Sequence, residues 1–134
     1  MKRVKRFGVS IEEDLLKVVD DFIKKHKFPN RSCALRFLIR KNLVEEKWQQ
    51  NKEVAACLVL VYDHHRRGLV SKAIEIQHKY PSLVLSTQHI HLDHHNCLEM
   101  IALKGKAELL RELADRLIGL KGIKHGRLVA TAID

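Results

Sequence analysis

The sequence predicts an α+β fold in two parts, and three observations predict it. The first fifty residues carry two apolar stripes at helical spacing. The remainder alternates period-two apolar runs with further helical stripes. A polar stretch, Gln49-Gln50-Asn51-Lys52-Glu53, separates the two patterns. The expected domains are residues 1–50 and 51–134.

Bulk properties narrow the class. A chain of 134 residues makes one domain or two small ones. Its hydrophobic fraction of 46% is ordinary for a folded globular protein. No apolar run approaches the roughly 18 residues that a membrane span needs. Lys2-Arg3-Val4-Lys5-Arg6 has no apolar segment behind it, unlike a secretion signal, so a cytoplasmic location is expected. There Cys33, Cys57 and Cys97 are expected to be buried, reactive or metal-bound rather than paired. A net charge of +9 favours a polyanionic partner, nucleic acid first among them.

The elements follow in chain order. Residues 3–11 alternate loosely and read as a short strand. Ser10 is an N-cap candidate, and Glu13 stands at capping-box spacing from it. Leu15, Leu16, Val19, Phe22 and Ile23 form the stripe of the first helix. Phe28-Pro29-Asn30 breaks it. Asn30 or Ser32 caps a second helix with Leu35, Leu38, Ile39 and Leu43 on one face. The strand has no partner within its own half, and an unpaired edge invites pairing with another chain. Two copies would pair their strands into an antiparallel ribbon backed by four helices. That is the ribbon-helix-helix arrangement, whose ribbon enters the DNA major groove. A helical hairpin used only for dimerisation is the plainer alternative.

The second half reads strand 54–62, helix about 66–79, strand 82–91, strand 97–103, helix about 105–118 and strand 122–131. Leu109, Leu110, Leu113 and Leu117 give the later helix its apolar face. The order βαββαβ is that of a ferredoxin-like domain.

Within this half, His89-x-His91 is followed six residues later by Cys97. Strand geometry points residues 89 and 91 to one face. Asp93-His94-His95-Asn96 reads as a turn, and a hairpin brings Cys97 back beside the imidazoles. Two nitrogens and a thiolate suit a borderline transition metal rather than a hard cation. The same donors would also suit a catalytic zinc with Glu99 as base. A metalloenzyme or metal carrier is therefore the competing reading, although it leaves the basic first half without a purpose. Cys57 lies in a very apolar strand and is expected in the core. His64, His65, His94, His95 and His125 are expected to face solvent or to bind extra metal weakly.

With both halves placed, the chain resembles the nickel-responsive transcriptional regulators along nearly its whole length. The matching motifs are Asn30-Arg31-Ser32, Tyr62-Asp63-His64, Gln77-His78, His89-Ile90-His91, Asp93-His94-His95-Asn96-Cys97-Leu98-Glu99, Leu103-Lys104-Gly105 and Lys124-His125-Gly126. The resemblance implies a ribbon-helix-helix domain joined to an ACT-like, ferredoxin-like sensor domain, with no enzymatic activity. It implies a homotetramer, a dimer of dimers, that binds operator DNA when loaded with Ni(II) and represses nickel-uptake genes. Its metal ligands would be His89, His91 and Cys97 of one subunit and His78 of a neighbour. A square plane of three imidazoles and a thiolate suits Ni(II) or Cu(II), so a sensor of copper or cobalt stays open. Glu99 would steady a ligating imidazole through a hydrogen bond, with Gln77 and Tyr62 as further supports.

The resemblance also places Arg6, Gly8 and Ser10 at the base-contacting positions of the ribbon. Arg6 can bond guanine bidentately, Ser10 can reach a base edge or phosphate, and Gly8 has no side chain to read with. The backbone amides at Asn30-Arg31-Ser32 suit a phosphate. Arg66 and Arg67 match a loop that can touch the DNA backbone. Two departures stand out. Family members carry an acidic pair on the second helix that holds a cation between the domains; here those positions are Cys33 and Phe37, so that site is expected to be lost. The N-terminus is also longer and more basic, a possible electrostatic arm on DNA.

Overall fold

A computed structural model describes residues 2–134. The chain forms two compact units, Met1–Asn42 and Leu43–Asp134. The division falls inside the second helix rather than at the polar stretch, because the last turns of that helix pack with the second unit.

In the first unit, residues 2–12 carry no regular structure. The expected strand is not formed in a single chain, for the reason its sequence gave: a strand needs an edge to bond, and two helices offer none. All of residues 2–12 are exposed. Phe7 and Val9 are 75% and 63% exposed, interleaved with Arg6, Gly8 and Ser10.

Helix α1 spans Glu13–His26, with extended Glu12 in the cap position and no side-chain cap bond. Ser10 lies two residues upstream of that cap, so the expected capping box does not form. Charge does the work instead. Glu13 and Asp14 occupy the first turn, and Lys24, Lys25 and His26 the last, each sign matched to the helix dipole. Left-handed Lys27 ends the helix, and the Phe28 N–H donates to the Ile23 carbonyl at 3.0 Å, a Schellman closure. Helix α2 spans Arg31–Gln49. Its cap is Asn30, whose Oδ1 accepts the Cys33 N–H at 2.8 Å. The Arg31 guanidinium binds both carboxylate oxygens of Asp20, each at 3.0 Å, and so ties α1 to α2.

The second unit holds β1 (Glu53–Tyr62), α3 (Leu69–His78), β2 (Val84–His91), β3 (Cys97–Lys106), α4 (Ala107–Ile118) and β4 (Ile123–Thr131). The strands form one antiparallel sheet in the order β2-β3-β1-β4, the expected ferredoxin-like topology. Helix α3 starts at Leu69 rather than near 66 because Gly68 is left-handed, with φ of 79°. Strand β3 runs on to Lys106, which delays α4 to Ala107.

Alternate residues of β1, Val54, Ala56, Leu58, Leu60 and Tyr62, are buried on one face. Against them pack Ile101 and Leu103 of β3 and Leu110, Leu113 and Leu117 of α4. Leu109 falls off this stripe and is exposed; Ala107 and Ala114 complete the buried face in its place. Trp48, at the end of α2, is buried here too. Its indole N–H donates to the Thr131 carbonyl at 2.9 Å, and the Arg111 guanidinium lies 5.1 Å from its ring centre. On the opposite face of the sheet, Cys57, Val59, Val61, Leu98 and Met100 are only half-buried. Cys57 is thus not a core residue, because β1 turns it away from the helices.

Candidate metal centre

Sheet register assembles the site. Tyr62 stands opposite Cys97, and Cys97 opposite His91; Leu60 stands opposite Glu99, and Glu99 opposite His89. Directly paired residues share a face. His89, His91, Cys97, Glu99 and Tyr62 therefore all lie on the helix-covered side. The cover thins towards β2, an edge strand. Cys97 and Glu99 are 0% and 7% exposed, whereas His89 and His91 are exposed. The hairpin that returns Cys97 is fixed by Asp93, whose Oδ1 accepts the N–H groups of His95 and Asn96, each at 2.8 Å.

Cys97 Sγ lies 3.4 Å from Nδ1 of His91 and 3.0 Å from Nδ1 of His64. Ligand atoms of His64, His91 and Cys97 lie within 4.8 Å of one another. His89 stands just outside this group, its ring centre 5.9 Å from that of His91. Burial raises the Cys97 thiol above its ordinary range. Burial, then the neighbouring histidines His65 and His91, lowers that of His64. A neutral imidazole is the form that binds metal.

The expected support of an imidazole by Glu99 takes an indirect form. The Tyr62 hydroxyl donates to Glu99 Oε2 at 2.7 Å, and the same hydroxyl stands 3.5 Å from Nδ1 of His89. Burial, then the bond to Glu99, raises the Tyr62 phenol well above its usual range, so it stays a proton donor. Tyr62 is the link between carboxylate and imidazole. Gln77 is half-buried on α3, and His78 is the exposed last residue of that helix. Helix α3 leads from the Tyr62 end of the sheet back towards Val84, so His78 is not grouped with Cys97 of its own chain.

His64 is the residue the sequence reading undervalued. No local signal marks it: it lies two residues beyond Tyr62, and only the pairing of Tyr62 with Cys97 brings it to the site. Among the described residues a second group, Asp63, His65 and His95, also brings ligand atoms within 4.8 Å of one another. His94 and His125 belong to neither group.

The residues expected at DNA divide by what their side chains already do. Arg6, Gly8, Ser10, Ser32 and Arg67 are exposed. The side chains of Asn30 and Arg31 serve their own unit, as cap and as partner of Asp20. Arg66 lies against Gly122, where an added Cβ would meet its Cδ at 2.4 Å. Cys33 is half-buried, and the Phe37 ring packs on Phe28 with centroids 5.2 Å apart.

A buried thiol with imidazoles around it is a donor set for a borderline transition metal, and the residues fit Ni(II). Comparison with known proteins agrees. Residues 55–131 match the family described as the NikR C-terminal nickel-binding domain. A provisionally named nickel-responsive regulator of Desulfovibrio desulfuricans is 48% identical over 98% of this chain and 95% of its own length. Similarly named proteins of Geobacter sulfurreducens and Thermococcus onnurineus are 50% and 43% identical. They cover 94% and 96% of this chain, and 91% and 94% of their own lengths. A protein of Thermotoga maritima with a solved structure shares the fold at a TM-score of 0.53 and 15% identity. That match covers 59% of this chain and 98% of the other.

Proposed function

Because the chain belongs to the nickel-responsive regulators and carries their nickel-binding domain, we propose that it is a tetrameric repressor that binds operator DNA when its Cys97 centre holds Ni(II). The observation that carries this reading is the placement of Cys97, His91 and His89 on one face at an exposed sheet edge, with His78 at the far end of α3. The set is incomplete within one chain, and His78 of a second copy would complete it. Nickel would supply a bond between subunits there. The chain's own residues supply the rest: Cys97 a thiolate, His89 and His91 imidazoles, and Tyr62 a hydroxyl that steadies His89.

Two surfaces support assembly. The half-buried apolar face of the sheet, around Val59, Val61, Leu98 and Met100, suits a second sensor unit. The exposed alternation from Arg6 to Ser10 suits a ribbon made with a second chain, which would present Arg6, Gly8 and Ser10 to the major groove. Backbone amides at Asn30-Arg31-Ser32 would take a phosphate. Arg67, and Arg66 once freed from its cleft, would take others. Metal binding at the subunit boundary would then favour DNA-competent arrangements by shifting populations. A net charge of +9 suits this partner.

One distance favours a second reading of the site. His64 is nearer Cys97 than His89 is, which would make a centre complete within one chain. The two readings differ in the histidine they need. Nickel titration, recording thiolate absorption and binding to the promoter DNA of nickel-uptake genes together, separates them. We expect one tight equivalent per chain and DNA binding that rises with it, lost in His89→Ala and kept in His64→Ala. The reverse pattern would move the ligand to His64. DNA binding indifferent to nickel would sink the repressor assignment.

A further inference from the structure

A polar stretch between two patterned halves invites reading as slack chain, but residues 49–53 are fastened on two sides. Asn51 is left-handed, with φ of 53°. Its N–H donates to the Trp48 carbonyl at 3.3 Å, and the Lys52 N–H donates to the Lys47 carbonyl at 2.9 Å. This is a Schellman closure of α2, in which asparagine can stand for glycine. The other side of the same turn caps a different helix. Asn51 Oδ1 accepts the Glu108 N–H at 2.9 Å, and the Lys52 carbonyl accepts the Ala107 N–H at 3.1 Å. Lys106, in the cap position of α4, makes no side-chain cap bond. Residues 51 and 52 thus supply the first turn of α4 with acceptors that its own cap does not.

Further contacts fix the last turns of α2. The Trp48 indole holds the Thr131 carbonyl, the Arg111 guanidinium donates to the Trp48 carbonyl at 3.5 Å, and the Lys47 ammonium pairs with the Asp134 carboxylate. Val44 packs against the core. The middle of α2 is different. Residues 35–43 are all exposed, between buried Ala34 and half-buried Val44. A second chain in a ribbon-helix-helix dimer would cover Leu35, Leu38 and Ile39, which leaves Arg40-Lys41-Asn42 to the helix's own backbone bonds. An uncovered piece of helix is marginal in water. The division between the two compact units falls there, after Asn42.

We propose that the hinge between the two units is Arg40-Lys41-Asn42, inside α2, and that residues 49–53 are a rigid joint with Asn51 as its positioning residue. Movement of α4 or β4 then passes into the last turns of α2 instead of being absorbed by loose chain. The location of the hinge rests on these contacts alone. Its consequence, that a nickel-dependent change in the sensor unit reaches DNA through the joint, rests on the repressor reading.

Trypsin sites mark both alternatives: Arg40 and Lys41 in the hinge, Lys47 and Lys52 in the joint. The test is brief digestion of the full-length protein without DNA, with cuts located by mass, beside hydrogen exchange of the same segments. Cleavage within a helix follows the population of its opened form. Within residues 31–53 the first cut is expected after Arg40 or Lys41, with Lys47 and Lys52 protected, and residues 49–53 should exchange as slowly as β1. Asn51→Gly keeps the left-handed backbone and removes the cap. It should speed exchange at 49–53 and in the first turn of α4 by about fivefold, the usual worth of one cap. Nickel should bind it at wild-type stoichiometry, while the gain in operator affinity that nickel confers should shrink. A first wild-type cut after Lys47 or Lys52, or exchange at 49–53 faster than at 40–42, overturns the proposal. So does Asn51→Gly with wild-type exchange or an undiminished gain. Wild-type DNA binding indifferent to nickel would fail the repressor reading alone, because digestion and exchange are read without DNA.

Discussion

At the scale of residues, one hydroxyl joins the candidate centre to a buried carboxylate. Tyr62 is buried, and its bond to Glu99 satisfies a carboxylate that is itself almost wholly out of water. Removing the hydroxyl leaves that carboxylate short of a donor, a defect worth about 1–3 kcal/mol. It also removes a hydroxyl 3.5 Å from Nδ1 of His89, and loss of such a support typically costs about tenfold in metal affinity. Tyr62→Phe is therefore expected to unfold at lower urea concentration and to bind nickel about tenfold more weakly, at unchanged stoichiometry. Unaltered nickel affinity would remove Tyr62 from the steering of His89. The placement of His89, His91 and Cys97 on one face was legible because strand period and a turn fix it. The bond from Tyr62 to Glu99 and the nearness of His64 were not, because they depend on pairing β1 with β3, thirty-odd residues apart in the chain.

At the scale of elements, the first unit is held by local charge and by rings rather than by a core. Among its described residues only Ala34 is fully buried. The Asp20–Arg31 pair joins its helices, and the bond to Arg31 holds the Asp20 carboxyl below the ordinary range. A depressed carboxyl stabilises the folded form above the unfolded carboxylate value, about 3.9, and loses that contribution as pH falls through its folded value. Both partners are exposed, so the effect is small. Asp20→Asn should lower the thermal midpoint slightly at neutral pH, and the difference from wild type should close as pH falls through the lowered Asp20 value, beneath the ordinary carboxylate range. A gap that stayed constant with pH would mean that the substitution acts through packing. The helices here were readable from their stripes, whereas the cap at Glu12 was not: Ser10 has the better chemistry, but the backbone turns helical only after residue 12.

Cys33 and Phe37 bear on the same unit. A hard cation takes carboxylate and carbonyl oxygens, and neither side chain offers one. Phe37 is engaged instead with Phe28, which packs in turn on Phe22. Operator binding is accordingly expected to show no saturable requirement for potassium. Affinity measured at fixed ionic strength, with potassium replaced by a bulky organic cation, should stay level. A steep, saturable rise on adding potassium back would show that other residues rebuild a cation site.

At the scale of the whole molecule, the features left unfinished in one chain share a single remedy. An alternating N-terminal segment lies without a partner strand, one sheet face stays half-buried, and His78, expected as a ligand, is not grouped with its own Cys97. Copies of the chain would answer all three, and the metal ligands allow the clearest test. If each nickel takes His89, His91 and Cys97 from one subunit and His78 from another, a His78→Ala chain still offers the three-donor half. A Cys97→Ala chain still offers His78. Neither variant alone should bind nickel tightly. Mixed oligomers of the two should regain tight sites wherever an intact Cys97 half meets an intact His78. Nickel should also raise the thermal midpoint of those mixed oligomers, since a ligand bound only by the assembled form stabilises it in proportion to the logarithm of its concentration. Subunit exchange can be confirmed by mass before titration, so that failure to mix is not mistaken for failure to bind. Confirmed mixed oligomers without a tight thiolate-bound nickel would mean that the site is not shared between chains. The His64 arrangement, complete within one subunit, would then be the better account of the centre.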